Sequence, residues 1–157
     1  MKVVAIIQAR LGSTKLPGKV LLPLAGKSML QNVVERVQRA KLVDEVVVAV
    51  PHGNDQDYET IADICAPKQN GQRVATLCWI LAPNVPENDL IGRYLKAAKI
   101  TETDFIIRVC ADNPCVEPEM IDRLIDWKYM ALPNRENGHV CLAMNSERFP
   151  DRISANE

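Results

Sequence analysis

Neither sign of charge is in excess: 19 Lys and Arg stand against 20 Asp and Glu in 157 residues, for a net charge of −1. A general nucleic-acid binder carries a broad basic face, so the balance argues against that class of partner. No apolar run approaches the roughly 18 residues that span a bilayer. Ile7 is followed at once by Gln8 and Arg10 with no cleavage-site pattern, so neither a membrane partner nor a secretory leader is expected. The five cysteines include no CxxC pair, and His52 and His139 are too scattered to complete a zinc pattern. Reduced thiols in a cytoplasmic protein are the expectation, with Cys110 and Cys115 the candidates for a reactive one. No repeat, low-complexity tract or linker composition is visible, so residues 1–157 read as a single domain. One absence is local: no Asp or Glu occurs before Glu35.

Within that acid-free stretch lies the most informative segment. The run Val3-Val4-Ala5-Ile6-Ile7 leads into Gln8-Ala9-Arg10-Leu11-Gly12-Ser13-Thr14-Lys15-Leu16-Pro17-Gly18-Lys19. A strand covered on both faces thus empties into a loop with two glycines, two hydroxyls and three cations. Positive charge beside exposed backbone N–H groups is a recipe for holding a polyanion such as a nucleoside triphosphate. Walker A spacing is absent, because five residues separate Gly12 from Gly18 and Val20 follows Lys19; nor is this GxGxxG.

Strand and helix signals alternate beyond it. Ser28 and Gln31 form a capping box before a helix with Met29, Leu30, Val33, Val34 and Val37 on one stripe. Glu45 to Val50 reads as a buried strand stopped by Pro51, and Asp55 to Ala66 as a helix. Val74 to Leu81 is a further strand candidate. Glu87 to Lys99 reads as a helix with Leu90, Ile91, Tyr94, Leu95 and Ala98 inward, and Arg93 as a surface cation. Asp104 to Val109 is another strand, and Pro118 suits the first position of a last helix. This order implies right-handed βαβ units and a mostly parallel sheet, with ligands beyond the carboxyl ends of the strands. Loops 8–19, 51–55 and 110–117 should then converge on one crevice.

The segment Gln8 to Lys19, followed by Leu24-Ala25-Gly26-Lys27-x-Met29-Leu30, resembles the N-terminal signature of the cytidylyltransferases that make CMP-activated sugar acids. These are the 3-deoxy-manno-octulosonate and acylneuraminate enzymes, and the likeness is strongest to the spore-coat polysaccharide protein F branch. Asn88-Asp89-Leu90-Ile91-x-Arg93-Tyr94, Arg108-Val109-x-Ala111-Asp112-x-Pro114 and Phe149-Pro150-Asp151 resemble later family segments in the same order. The resemblance implies a Rossmann-like three-layer α/β/α sandwich, of the nucleotide-diphospho-sugar transferase type. It implies a transferase joining a sugar acid to CMP from CTP, releasing pyrophosphate, in surface polysaccharide biosynthesis. The alternatives are another sugar nucleotidyltransferase or a sugar-nucleotide glycosyltransferase of that fold, or a non-catalytic nucleotide-binding module; CTP or another nucleotide is the ligand.

On that likeness Arg10, Lys19 and Asp112 carry catalysis. Gln8, Ala9, Arg10, Leu11, Gly12, Ser13, Thr14, Lys15, Lys19, Arg108 and Asn113 bind nucleotide. Asp112 holds Mg²⁺, with Asp151 or Glu157 as a second carboxylate. The plainer alternatives are a turn or cap role for Asp112, a solvated Lys15, a turn position for Lys27 and a surface loop for His52. The chain departs from the pattern at Arg152, where glycine is expected, and at Ala75 to Leu81, which lacks an arginine-glycine-serine turn. It is also shorter than the family domain, whose missing C-terminal part typically adds sugar-acid contacts and homodimer-forming elements.

Overall fold

Four parallel strands carry the structure, a computed structural model that describes residues 1–51, 55–66, 68–69, 72–73, 78–81, 84–86 and 88–131. They are β1 (Val3–Gln8), β4 (Glu45–Ala49), β7 (Trp79–Leu81) and β8 (Phe105–Cys110), in the order β7-β4-β1-β8. β1 lies between β4 and β8, with Ala5 opposite Val46 on one side and Ile107 on the other. A central strand needs apolar side chains on both faces, and Val3 to Ile7 supplies them: each is 1% exposed or less.

Alternation along the strands divides the core into two layers. Val3, Ala5 and Ile7 pack with Val46, Val48, Ile107 and Val109 beneath α1 (Met29–Val37), α2 (Asp55–Cys65) and α4 (Pro118–Ala131). Val4 and Ile6 pack with Val47 and Ala49 beneath α3 (Leu90–Ile100). The result is the expected three-layer α/β/α arrangement around a parallel sheet.

Local chemistry explains the helix starts. Ser28 Oγ accepts the Gln31 backbone N–H at 3.1 Å, as a capping residue should. The Gln31 side chain does not return the bond; its Nε2 donates to Glu35 Oε1 at 3.0 Å, so half of the expected box forms. Asp89 caps α3 by accepting from Gly92 N at 2.8 Å, which starts that helix at Leu90 instead of Glu87. Pro118 opens α4 as expected.

Two features differ from the sequence reading. β2 (Pro23–Leu24) and β3 (Lys27–Ser28) form a small hairpin, placing Lys27 just after its turn. Positive φ at Ala25 (51°) and Gly26 (80°) marks a turn of the I′ kind. The exposed face of α3 also differs in part: Tyr94 packs on the core as expected, and Ala98 is half-buried. Arg93 and Ala97 are buried, whereas Leu90, Ile91 and Leu95 are 45%, 73% and 63% exposed. The small Ala97 lets the helix lie close on Val4, Ile6 and Ala49, which turns the large apolar stripe outward. Of the third strand candidate, residues 74–77 lie outside the described residues, as do the strands β5 (Lys68–Gln69) and β6 (Gln72–Arg73) side chains; β7 is its observed part.

Candidate functional site

All four strands of the sheet point their carboxyl ends the same way, and a cavity of about 260 Å³ opens at the ends of β1 and β8. The first loop contributes Gln8, Ala9, Arg10, Ser13, Lys19 and Val20. β8 and the turn after it contribute Arg108, Val109, Cys110, Ala111 and Asp112, and α3 contributes Leu90, Arg93 and Tyr94. Loops 8–19 and 110–117 therefore meet as expected. No described residue of 51–55 lines the cavity; the start of α3 stands there, and residues 52–54, including His52, lie outside the described residues.

The first loop is held by its own backbone. Leu11 O accepts from Ser13 N at 2.8 Å and from Gly18 N at 2.9 Å, which closes the segment between them into a ring. Gly18 sits at φ 67°, a conformation costly for residues with a Cβ, and so suits glycine. Val20 is buried in the core two residues later, pinning Lys19 between a fixed bend and an apolar anchor. Beneath the ring, Leu11 N donates to Asp57 Oδ2 of α2 at 2.8 Å. Asp57 is 5% exposed and was not anticipated from the sequence, where a single acid in a helix carries no spacing signal.

Lys19 Nζ donates to Asp112 Oδ2, joining the loop to the turn after β8. That hydrogen bond holds the Asp112 carboxyl below its usual pKa, while partial burial opposes the shift. Buried Ala111 precedes Asp112, and Asn113 N donates to Cys110 O at 3.2 Å to close the turn. From behind, α1 supports this turn: Arg36 Nε donates to Val116 O at 2.7 Å and Arg36 Nη2 pairs with Glu117 Oε1 at 2.8 Å.

The α3 side is different in character. Gln8 Nε2 donates to Leu90 O at 3.2 Å, tying the end of β1 to the start of the helix. Burial pushes the Tyr94 hydroxyl above its usual pKa, and the charge of the nearby Arg108 guanidinium draws it part of the way back. Arg93 is 1% exposed, so the expectation of a surface cation does not hold: a charged residue at an inward helical position is invisible to hydrophobic periodicity.

Of the sequence-predicted residues, Gln8, Ala9, Arg10, Ser13, Lys19, Arg108 and Asp112 line one cavity. Leu11, Gly12, Thr14, Lys15 and Asn113 lie on the same two loops but not in its lining. Asp151 and Glu157 lie outside the described residues. Among the described residues no three His, Cys, Asp or Glu side chains cluster as a metal site, and no helix is long and apolar enough to cross a membrane. Cys65 and Cys78 are buried free thiols, Cys110 and Cys115 exposed ones.

Comparison with known proteins agrees with this geometry. The chain is 36% identical over 126 residues to the 3-deoxy-manno-octulosonate cytidylyltransferase of Trichlorobacter lovleyi, covering 80% of this chain and 44% of that protein. It is 36% identical over 124 residues to the spore coat polysaccharide biosynthesis protein SpsF of Bacillus subtilis, covering 76% and 47%. The solved structure of CMP:2-keto-3-deoxy-manno-octonic acid synthetase complexed with CTP superposes with a TM-score of 0.63 at 26% identity, covering 85% of this chain and 49% of that one. The chain thus spans about half the length of these relatives. The sequence profile described as cytidylyltransferase matches residues 4–135, and the chain belongs to that family.

Proposed function

We propose that the cavity binds CTP and that the chain transfers its CMP moiety to a sugar acid, releasing pyrophosphate, in the synthesis of a surface polysaccharide. The carrying observation is that Arg10, Ser13, Lys19 and Asp112, from two loops about a hundred residues apart in sequence, line one cavity at the carboxyl end of the sheet. In the reaction a sugar hydroxyl attacks the α-phosphorus, the bond from that phosphorus to the bridging oxygen breaks, and pyrophosphate departs in line. Such chemistry asks the protein mainly for positioning and neutralisation of charge.

The residues have separable parts in it. Arg10 offers a fork to phosphate oxygens, and Lys19 a compact charge on a fixed stem. The closed ring Leu11 to Gly18 keeps both at the cavity mouth, so little ordering remains to be done on binding. Asp112 is an exposed hard carboxylate beside the phosphate cradle, a donor suited to a divalent cation such as Mg²⁺ that completes its shell with phosphate oxygens and water. That ion, when bound, supplies charge neutralisation on the phosphates. Asp112 and Lys19 would both turn from each other toward the triphosphate.

The relatives that support this reading include one named as a 3-deoxy-manno-octulosonate cytidylyltransferase and one solved with CTP. A cytoplasmic site of action belongs to the same proposal and is supported by the free thiols. The second reading, nucleotide binding without turnover, is favoured by one observation: about 260 Å³ is below the roughly 300–1,000 Å³ of most ligand sites. Calorimetric titration with CTP, UTP, ATP and GTP, with and without Mg²⁺, tests the nucleotide. CTP should bind in preference, and more tightly with Mg²⁺. Pyrophosphate release with sugar acids then separates turnover from binding, and absence of any nucleotide binding would defeat both readings.

A further inference from the structure

The carboxylate at the cavity rim stands on a turn that has little of its own to hold it. Between Ala111, 4% exposed, and buried Pro118 no side chain is fully buried, and Val116 is half-buried against the core. The backbone bends twice here, Asn113 N donating to Cys110 O at 3.2 Å and Val116 N to Asn113 O at 3.3 Å, with Asp112 inside the first bend. Among the described residues, two cations reach this turn from other elements. Lys19 takes the Asp112 carboxylate from the front. Arg36 grips the far end from behind with two of its donors, Nε on Val116 O at 2.7 Å and Nη2 on Glu117 Oε1 at 2.8 Å. Its helix, α1, is a firm base, since Leu30, Val33, Val34 and Val37 are each 1% exposed or less.

The front anchor is the one that ligand binding removes. Under the proposed function Lys19 leaves Asp112 for a phosphate oxygen, and the turn then keeps its own two bends and the grip from behind. A carboxylate that serves Mg²⁺ tolerates little drift, because the ion asks for near-octahedral oxygens at about 2.0–2.1 Å. We propose that Arg36 is a positioning residue, which by holding Val116 O and Glu117 keeps the Asp112 carboxylate aimed at the cavity once Lys19 has let go. The assignment rests on the proposed nucleotide and metal roles of the cavity, and adds to them a residue outside its lining. A planar guanidinium meets both acceptors at once with its geometry already set, whereas a lysine ammonium on a flexible stem is a point charge that cannot bridge them in the same way. The bond from a charged donor to the Val116 carbonyl is also of the stronger kind.

The test measures CTP affinity of the full chain by calorimetry, in EDTA and in saturating Mg²⁺, with urea unfolding of the same preparations. Wild type is compared with Arg36→Met, Arg36→Lys, Asp112→Asn and the double variant Arg36→Met with Asp112→Asn. Wild type should gain affinity from Mg²⁺. Arg36→Met should keep its affinity in EDTA within about twofold, because Arg10, Ser13 and Lys19 lie on the other loop, and lose about tenfold in Mg²⁺. The double variant should bind no more weakly than Asp112→Asn alone, since Arg36 acts through that carboxylate. An Arg36→Met protein that keeps the full gain from Mg²⁺, that weakens CTP equally with and without the ion, or whose loss adds to that of Asp112→Asn would overturn the proposal. Should Arg36→Met fail to fold, Arg36→Lys decides: the same selective loss in Mg²⁺ supports the role and an undiminished gain overturns it. Wild type that binds CTP with no gain from Mg²⁺ overturns the role of Arg36 and leaves the nucleotide reading standing, whereas no CTP binding at all removes both.

Discussion

Replacing Lys19 by Met separates a ligand-binding role from a structural one, because the two predict opposite magnitudes. In the folded protein Lys19 Nζ is bonded to Asp112, with the two side chains 30% and 42% exposed. Exposed pairs of this kind contribute about 0.2–1 kcal/mol, so Lys19→Met should lower unfolding stability by no more than that. A charge-assisted bond to a phosphate oxygen is worth about 1.5–3 kcal/mol. Wild type gives up its Asp112 partner to make that bond, so the net loss of binding energy is about 1–2.5 kcal/mol. CTP should then bind about five- to seventyfold more weakly. Calorimetry with CTP and Mg²⁺, alongside urea unfolding of the same preparations, measures both quantities. Unchanged CTP affinity in a folded variant, or a stability loss above about 2 kcal/mol, would refute the assignment of Lys19 to the triphosphate.

Asp57→Ala leaves the Leu11 N–H without its carboxylate and should cost about 1–3 kcal/mol of stability; CTP binding should weaken with it, and Asp57→Asn, which keeps an acceptor oxygen, should recover most of both. An Asp57→Ala protein with wild-type CTP affinity would show that the loop does not depend on α2. Ala25→Asn should raise unfolding stability by about 0.5–1 kcal/mol, since Ala25 is held at φ 51° where Asn is better tolerated; a loss of stability in urea melts would count against the turn assignment. The hydrogen bond from Lys27 at 2.5 Å holds the Glu35 carboxyl below its usual pKa, against a smaller opposing effect of burial. Its stabilisation is therefore complete above about pH 4.3, the unfolded value, and fades as pH falls through the lower folded value. Lys27→Met should therefore lower stability near neutral pH and flatten its decline with acid, the two proteins converging once Glu35 is protonated in both; equal stability of variant and wild type in urea melts at about pH 7 would exclude the contribution.

What the sequence discloses here depends on how local the signal is. β1 and β4 are continuous β-branched runs, and Ser28 and Pro118 mark helix starts through chemistry confined to a few residues. The loop after β1 is legible for the same reason, as cations, hydroxyls and glycines lie together in one segment. α3 is where that logic fails. Leu90, Ile91 and Leu95 have the spacing of a buried stripe, yet the close fit is made by Ala97, and Arg93 takes an inward position facing the cavity. Hairpin strands of two residues are too short to show any period. Asp57 is silent because its partner, a backbone N–H 46 residues away, leaves no trace in the side-chain pattern.

The acid-free N-terminal stretch takes on a different meaning once folded. No acid lies near the loop in sequence, but the fold brings Asp57 and Asp112 to it from among the described residues, and their burial assigns them different work. Asp57, buried beneath the ring, takes a backbone N–H and fixes the shape of the loop. Asp112, exposed at the rim, takes the ammonium of Lys19. A buried charge stripped of its partner is costly, so Asp57 is committed to the fold. An exposed ion pair is worth little, so Lys19 can exchange Asp112 for a phosphate oxygen at small expense. The loop is therefore rigid where its backbone must not move and exchangeable where its charges must, which is what binding a polyanion asks of it.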